Sequence, residues 1–269
     1  QSAWVLVGAQ DWGRLILRED GRASKTDHLA EPWAVALQES RLSTFLAAER
    51  GVSQGGDEGL PEVFLSGRIT DMQSRLNVNN LVDDKGVPQD KSVEAFSRLF
   101  DLLGLPRSEY TRLVTNLGRA SQPQLEEGAD APLRPQRFDQ LVWLGLSPAT
   151  LRVLQPHATL LPRGTKVNLN TASAQVIAAA LENGDLAAAE RLVQARARSA
   201  LRDVGEAAGL LEREGQFNQA DFSVNSSYFE IYGRLRMEGS VVSERSLVHR
   251  NGGMVTTLWR ERIPGDVPP

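Results

Sequence analysis

Residues 226–240 read SSYFEIYGRLRMEGS, and apolar side chains occupy every second position in this stretch. One face carries Phe229, Ile231, Gly233, Leu235 and Met237, while the other face carries charged residues and two tyrosines. A period of two is typical of a half-buried antiparallel strand. Turn signals at 238–240 and 251–253 follow at the spacing of one strand, so the sequence predicts an antiparallel meander from residue 226 to about residue 263.

Helical periodicity dominates the first 50 residues. Val5, Ala9, Trp12 and Ile16 recur at spacings of three and four and predict a helix with one apolar stripe. Glu31-Pro32 interrupts the pattern, and residues 34–46 predict a second amphipathic helix. Because no capping residue precedes the first helix, we expect that a segment of the protein preceded residue 1.

The middle of the chain changes period twice. Alternation over 63–69 and 75–79 predicts two strands, and residues 90 to about 213 return to helical spacing. Two similar segments, NVNN at 77–80 and NLNT at 168–171, predict strand-to-helix corners, the second with Asn170 or Thr171 as the helix N-cap. Strands on both sides of a helical block indicate a sheet with a helical insertion, an α+β fold.

Composition excludes several classes of protein. The net formal charge is −4, so the chain lacks the basic excess that favours nucleic acid. The absence of cysteine excludes thiol catalysis, cysteine-ligated zinc and internal disulfides. No apolar run approaches the roughly 20 residues that a membrane helix needs.

The sequence contains partial matches to catalytic and metal-binding motifs, but the residues around them do not fit those functions. Residues 51–55, GVSQG, place Ser53 in a G-x-S-x-G pattern, but a glycine-rich loop replaces the strand and helix that a nucleophile elbow needs. His28, His157 and His249 are isolated from one another. A calcium loop over 83–94 is ruled out by Lys85 and Pro88. This segment instead predicts a solvated turn before a helix that starts near residue 90.

A helix-hairpin-helix nucleic-acid-binding protein is the alternative interpretation. Residues 167–173 precede two predicted short helices, as in those modules, and the second helix carries Arg191, Arg196, Arg198 and Arg202. However, the connection Asn183-Gly184-Asp185 places an acid where a phosphate would bind to backbone amides. Nucleic acid is therefore not the expected partner.

Five landmarks occur in order along the chain: DW and LILRED at 11–20, KTDHLAEPWA at 25–34, GRITD with LNVNNL at 67–81, VNLNTA at 167–172 and SSYF at 226–229. Together they resemble the K-type (GspK-like) minor pseudopilins of the bacterial type II secretion system. In this family, residues 67–71 and 76–81 would form a strand pair. The resemblance implies a pilin-like fold, in which a long N-terminal helix packs on an antiparallel sheet and a large α-helical domain is inserted. We expect the pilin-like part at 1–79, the insertion at 80–216 and the return to the sheet at 217–269.

The resemblance also implies a function. K-type members are non-enzymatic subunits at the tip of the pseudopilus, in a complex with I- and J-type minor pseudopilins and above the H-type and major pseudopilins, for export of folded proteins across the outer membrane. We therefore expect an inner-membrane anchor in an N-terminal helix absent from this sequence, with this part of the protein in the periplasm. The apolar stripe Val5, Ala9, Trp12 and Ile16 is the expected partner interface.

One family trait is degraded. Family members carry acidic stretches that bind calcium, and these align with NLGRA at 116–120 and GADA at 128–131. Two acids are replaced by Gly118 and Ala120, and the remaining candidate ligands are Glu126, Glu127 and Asp130. Because calcium takes six to eight oxygen ligands, we expect no resident metal or other cofactor and weak calcium binding at most.

Overall fold

The computed structural model describes residues 2–41, 62–122, 131–212, 217–237 and 240–263, with the backbone alone for 2–5 and 7. It divides into two compact units. The first comprises Gln1–Met72 and Ser226–Pro269, and the second comprises Gln73–Asn225. The second unit is thus inserted into the chain of the first.

The described part of the first unit contains five strands: β1, Leu37–Arg41; β2, Val63–Asp71; β7, Tyr228–Met237; β8, Ser240–Asn251; and β9, Met254–Ile263. They form one antiparallel sheet in the order β1-β2-β7-β8-β9. The predicted meander is confirmed, and Gly252 in the β8–β9 turn has the positive φ of 56° that glycine adopts without strain.

Helix α1, Ser2–Ala23, packs on this sheet. Leu6, Gln10, Gly13 and Leu17 are buried, and they recur at the three- and four-residue spacing of one helix face. Leu17 packs in a cluster with Phe229 of β7 and Val248 of β8. Gly13 permits close approach, because a Cβ atom there would lie 2.9 Å from Cγ2 of Ile231.

The second unit is mainly helical. Its described α-helices are α2, Asp90–Leu102; α3, Arg107–Ala120; α4, Pro148–Leu154; α5, Ala174–Ala180; α6, Leu186–Arg198; and α7, Val204–Leu211. Two short parallel pairs join β3, Leu76–Asn77, to β4, Ala158–Thr159, and β5, Val167–Asn168, to β6, Phe222–Ser223. The unit has its own apolar core, which includes Phe96 and Phe100 of α2 and Leu113 and Leu117 of α3.

Three local predictions are wrong. The part of the predicted 34–46 helix that the structure describes contains strand β1, because β1 pairs with β2 and this pairing outweighs the amphipathic pattern. Residues 67–71 and 76–81 form no strand pair, since β3 pairs with β4. Ser173 caps α5, with its Oγ accepting from the Val176 amide at 3.3 Å, whereas Asn170 is buried and bonds Leu201.

The division into units lies several residues from the expected boundaries at 79 and 216. Asn77 belongs to the second unit, because its side chain accepts from the Leu161 amide at 2.9 Å and donates to the Pro162 carbonyl at 2.8 Å. Phe222 also belongs there, in the same apolar cluster as Phe217. Within the described residues, no helix combines the length and the apolarity that crossing a bilayer would require.

Candidate functional site

The predicted interface residues of α1 lie on a flank of the helix. Ala9, Trp12 and Ile16 are half-buried, and the described side chains do not include Val5. At 3.6 residues per turn, this flank is rotated about 100° from the face that contacts the sheet. The opposite flank carries Arg14 and Arg18. Helix α1 therefore presents one apolar flank and one charged flank beside its buried face.

The apolar flank borders a small pocket in the first unit. Ala9, Trp12 and Ile16 form one wall, and Trp33, Val35 and other residues of the 32–37 segment form another. The cavity measures about 30 Å³, which is close to the volume of one water molecule. Val35 at its rim is 70% exposed, so the pocket continues into an apolar surface beside α1.

A buried ionic network, here called the Arg250 network, ties the end of α1 to the sheet. The guanidinium of Arg250 donates to Asp20 Oδ2 at 2.9 Å and to Asp27 Oδ1 at 2.5 Å. It also donates to the Leu17 carbonyl at 3.2 Å and the Ser226 carbonyl at 3.0 Å. The side chains of Arg250 and Asp20 are each 8% exposed and that of Asp27 is 2% exposed, so solvent screens these charges weakly.

The network continues into two other segments. Asp27 Oδ2 accepts from the Ser226 amide at 2.7 Å, and the Ser226 hydroxyl donates to Asp71 Oδ2 at 2.6 Å. The guanidinium of Arg250 lies 4.7 Å from the ring centroid of Phe229, within the range of a cation–π contact. Segments that are distant in sequence therefore meet at one buried point.

Glu31 fixes the loop beside this network. Its Oε2 accepts from Trp33 Nε1 at 2.8 Å and from the His28 amide at 2.9 Å. Trp33 is 2% exposed and packs edge-on against Phe229, with ring centroids 5.3 Å apart. The buried indole is thus satisfied by a carboxylate on one side and by an aromatic core on the other.

Burial and two neighbouring carboxylates, Glu31 and Asp27, perturb the pKa of Asp20. Burial, followed by the negative charge of Glu31, raises the pKa of Asp20 from 3.8 to about 6, although the hydrogen bond from Arg250 acts in the opposite direction. Asp20, Asp27 and Glu31 are the group of three acids in the described residues that lie close enough to share a metal ion. Arg250 already binds Asp20 and Asp27, so these acids belong to an ionic network with this arginine.

Comparisons with known proteins identify the relatives of this chain. Two family models, both described as type II secretion system protein K, match residues 74–163 and 167–225. The chain is 30% identical to the type II secretion system protein K of Pseudomonas aeruginosa strain PAO1, over 97% of this chain and 77% of that protein. The chain belongs to the type II secretion system protein K family. It is a minor pseudopilin of that system, and membership implies a periplasmic, membrane-associated location.

A solved structure shares the fold of this K-family protein. It is the crystal structure of the GspK-GspI-GspJ complex from enterotoxigenic Escherichia coli. The matched chain is 17% identical, with a TM-score of 0.72 over 98% of this chain and 96% of that chain. The mixed helical and antiparallel-sheet architecture expected from the sequence is confirmed.

The K-family landmarks have a physical explanation in the Arg250 network. Asp20, Asp27, Asp71 and Ser226 come from four of the five motifs that carry the resemblance. Arg250, which joins these segments, was not singled out by the sequence analysis. Its signal was available, because residue 250 has the same strand parity as the buried Val248 and a charged residue at an inward position requires a buried partner.

The end of α3 does not fit the calcium site implied by the family. A Cβ atom at Gly118 would lie 2.8 Å from the Gly86 carbonyl oxygen, so this position cannot accept a carboxylate side chain without displacement of the 83–87 turn. Asn116 donates its amide to the Leu144 carbonyl at 3.1 Å, and Arg119 adds a cation. The other candidate ligands, Glu126, Glu127 and Asp130, lie outside the described residues.

The residues that suggested nucleic-acid binding, a calcium loop or a serine hydrolase either have local structural contacts or lie outside the described residues. Burial lowers the pKa of Arg196 to about 10, and its guanidinium donates to the Leu169 carbonyl. This arginine therefore stabilises the second unit through an internal hydrogen bond. The Asp83 carboxylate accepts from the Lys85 and Val87 amides, which confirms a turn before α2. Ser53 lies outside the described residues.

The histidines remain separate from one another. His28 Nε2 lies 3.7 Å from Glu31 Oε1, and the ring of His249 stacks on Tyr228 with centroids 4.7 Å apart. His157 Nδ1 lies 3.3 Å from Ser173 Oγ, and burial lowers its pKa. Each histidine thus has a local structural contact.

Proposed function

We propose that this protein is a non-enzymatic subunit at the tip of the type II secretion pseudopilus, where it caps or initiates the pseudopilus in a complex with I- and J-type minor pseudopilins. The fold shared with the K-type chain of a GspK-GspI-GspJ complex supports this assignment. The large insertion at 73–225 also favours a terminal position, because a protomer with a bulky side domain obstructs the addition of another subunit. The H-type and major pseudopilins would lie below it.

The proposed partner surface is the apolar flank of α1. This flank carries Ala9, Trp12 and Ile16, continues into the apolar pocket and includes Val5 by helical spacing. Helices that bury an apolar stripe on each other exclude water from both surfaces, which is the main favourable term in association. The opposite flank carries charged residues and would remain in solvent. An N-terminal helical segment absent from this sequence would anchor the protein in the inner membrane, with both described units in the periplasm.

The flank can be tested in cells. A strain that lacks its K-type protein would be complemented with the full-length protein carrying Trp12→Glu or, as a matched control, Leu15→Glu. Leu15 is 42% exposed and lies on α1 away from both the sheet and the proposed surface. We expect Trp12→Glu to abolish secretion of a folded exoprotein and Leu15→Glu to preserve it, at equal protein levels by immunoblot.

Equal secretion by both variants would refute the proposed surface. A thermal melt of each purified periplasmic part would separate loss of partner binding from loss of folding. Ile16→Glu provides a second test of the same surface, since Ile16 lies one turn along the same flank.

A further inference from the structure

The helical unit contains an open groove whose chemistry differs from that of the α1 surface. Its cavity volume is about 680 Å³, large enough for several amino-acid side chains. Residues from both segments that match the family models line it, including Asn77, Asp90, Arg163 and Glu182. We name it the acidic groove.

The acidic groove has an excess of negative charge. Six carboxylates and three cations line it, which gives a net formal charge of −3. The carboxylates are those of Asp83, Asp84, Asp90, Glu94, Glu182 and Asp221, and the cations are Lys91, Arg98 and Arg163. Most of these carboxylates are exposed, so a ligand can reach them from solvent.

Each of the three cations of the groove forms an ion pair with a carboxylate that also lines the groove. Lys91 pairs with Asp221 at 3.4 Å, Arg98 pairs with Glu94 at 3.5 Å, and Arg163 pairs with Asp84. The remaining net charge is carried by Asp90 and Glu182 at the rim and by Asp83, on which the charges of Lys85 and Arg163 also act. The Val87 and Lys85 amides hold the pKa of Asp83 below its usual range.

The floor of the groove is apolar. Buried Leu76, Val82, Phe96 and Val167 lie beneath the acidic rim. A lysine or arginine side chain is complementary to this groove, because its aliphatic stem packs on apolar surface while its charged end stays at the polar edge. A shared metal ion fits less well, because in the described residues no three carboxylates of the groove converge on a common point.

We propose that the acidic groove binds an extended protein segment that carries lysine or arginine side chains. The stems of these side chains would contact the apolar floor, and their charged ends would pair with Asp90 and Glu182 at the rim. Charge complementarity of this kind fixes register and accelerates encounter with the partner. This binding surface is independent of the assignment of α1 as the contact for other pseudopilins.

The test is fluorescence anisotropy with a fluorescein-labelled peptide of alternating lysine and glycine, six residues long, at low and physiological salt. A peptide of alternating glutamate and glycine is the control ligand. We expect saturable binding of the lysine peptide alone. The double variant Asp90→Asn/Glu182→Gln should weaken it about fivefold or more, because exposed ion pairs contribute modestly but in the same direction.

A matched double variant separates the groove from the charge of the whole protein. Asp139→Asn/Glu190→Gln removes two exposed carboxylates from the same unit outside the groove, and we expect it to leave binding unchanged. Equal weakening by both double variants, or binding of the glutamate peptide with similar affinity, would overturn the proposal. Stoichiometric calcium binding that is lost in Asp90→Asn/Glu182→Gln would also overturn it and assign the groove to a metal ion.

Discussion

Replacing Arg250 with methionine should destabilise the first unit strongly. Methionine keeps much of the aliphatic volume but removes the cation that binds Asp20 and Asp27. Both carboxylates would remain buried, and Glu31 would add its repulsion to Asp20. Breaking a buried ion pair from one side typically costs about 3–5 kcal/mol. This is a large fraction of the roughly 5–15 kcal/mol that stabilises a domain.

The assay is urea unfolding followed by tryptophan fluorescence. Trp4, Trp12, Trp33 and Trp259 belong to the first unit, so a Trp143→Phe background removes the signal of the second unit. With a slope of about 2–3 kcal/mol per molar urea, Arg250→Met should lower the midpoint of the first unit by about 1–2.5 M.

The control is Arg22→Met, which breaks an exposed pair with Glu19 on the same helix. The two side chains are 58% and 55% exposed, so we expect a loss below about 1 kcal/mol. If Arg250→Met costs no more than this control, the Arg250 network does not hold α1 on the sheet. Adding Asp27→Asn to Arg250→Met should recover part of the loss, because it removes one of the uncompensated charges.

The raised pKa of Asp20, the Ser226–Asp71 hydrogen bond and the close approach of Gly118 to Gly86 can each be tested by substitution. Because the pKa of Asp20 rises from 3.8 to about 6 on folding, the folded state retains a proton that the unfolded state releases. Wild-type stability, measured relative to Asp20→Asn by urea unfolding, should therefore fall as pH rises from about 4 to 6 and level off above it. A constant difference would contradict the raised pKa. Ser226→Ala should cost about 1–3 kcal/mol in the same assay, since Asp71 loses a buried donor, and a loss within error would show that another donor replaces it. Gly118→Asp should lower the melting temperature by the equivalent of about 1–3 kcal/mol through its clash with Gly86 and should not confer calcium binding by titration calorimetry. An unchanged melting temperature with tight calcium binding would refute this prediction.

The meander was predictable because its determinants are local. Alternation over β7 and the Asn251-Gly252-Gly253 turn fix both the face and the connection of neighbouring strands. Strand β1 was not predictable in the same way. It pairs with β2 and has no turn signal of its own, so its short sequence was interpreted as part of a helix.

In the candidate site, local sequence likewise predicts the apolar flank, whereas the Arg250 network depends on tertiary contacts. Helical spacing alone identified Ala9, Trp12 and Ile16, although it could not distinguish the flank from the face that contacts the sheet. The network joins Asp20 and Asp27 to Asp71, Ser226 and Arg250, which are far apart in sequence. A sequence pattern can mark each member as unusual, but only the tertiary fold brings the members together.

The most direct test of the tip-subunit assignment is the mass of a reconstituted complex. This chain, of 29.5 kDa, would be mixed with the soluble parts of the I- and J-type minor pseudopilins from the same secretion system and passed through size-exclusion chromatography with light scattering. We predict one species with the summed mass of one copy of each protein, lost with Trp12→Glu and retained with Leu15→Glu. Separate elution of the three wild-type proteins at concentrations well above micromolar would contradict the assignment.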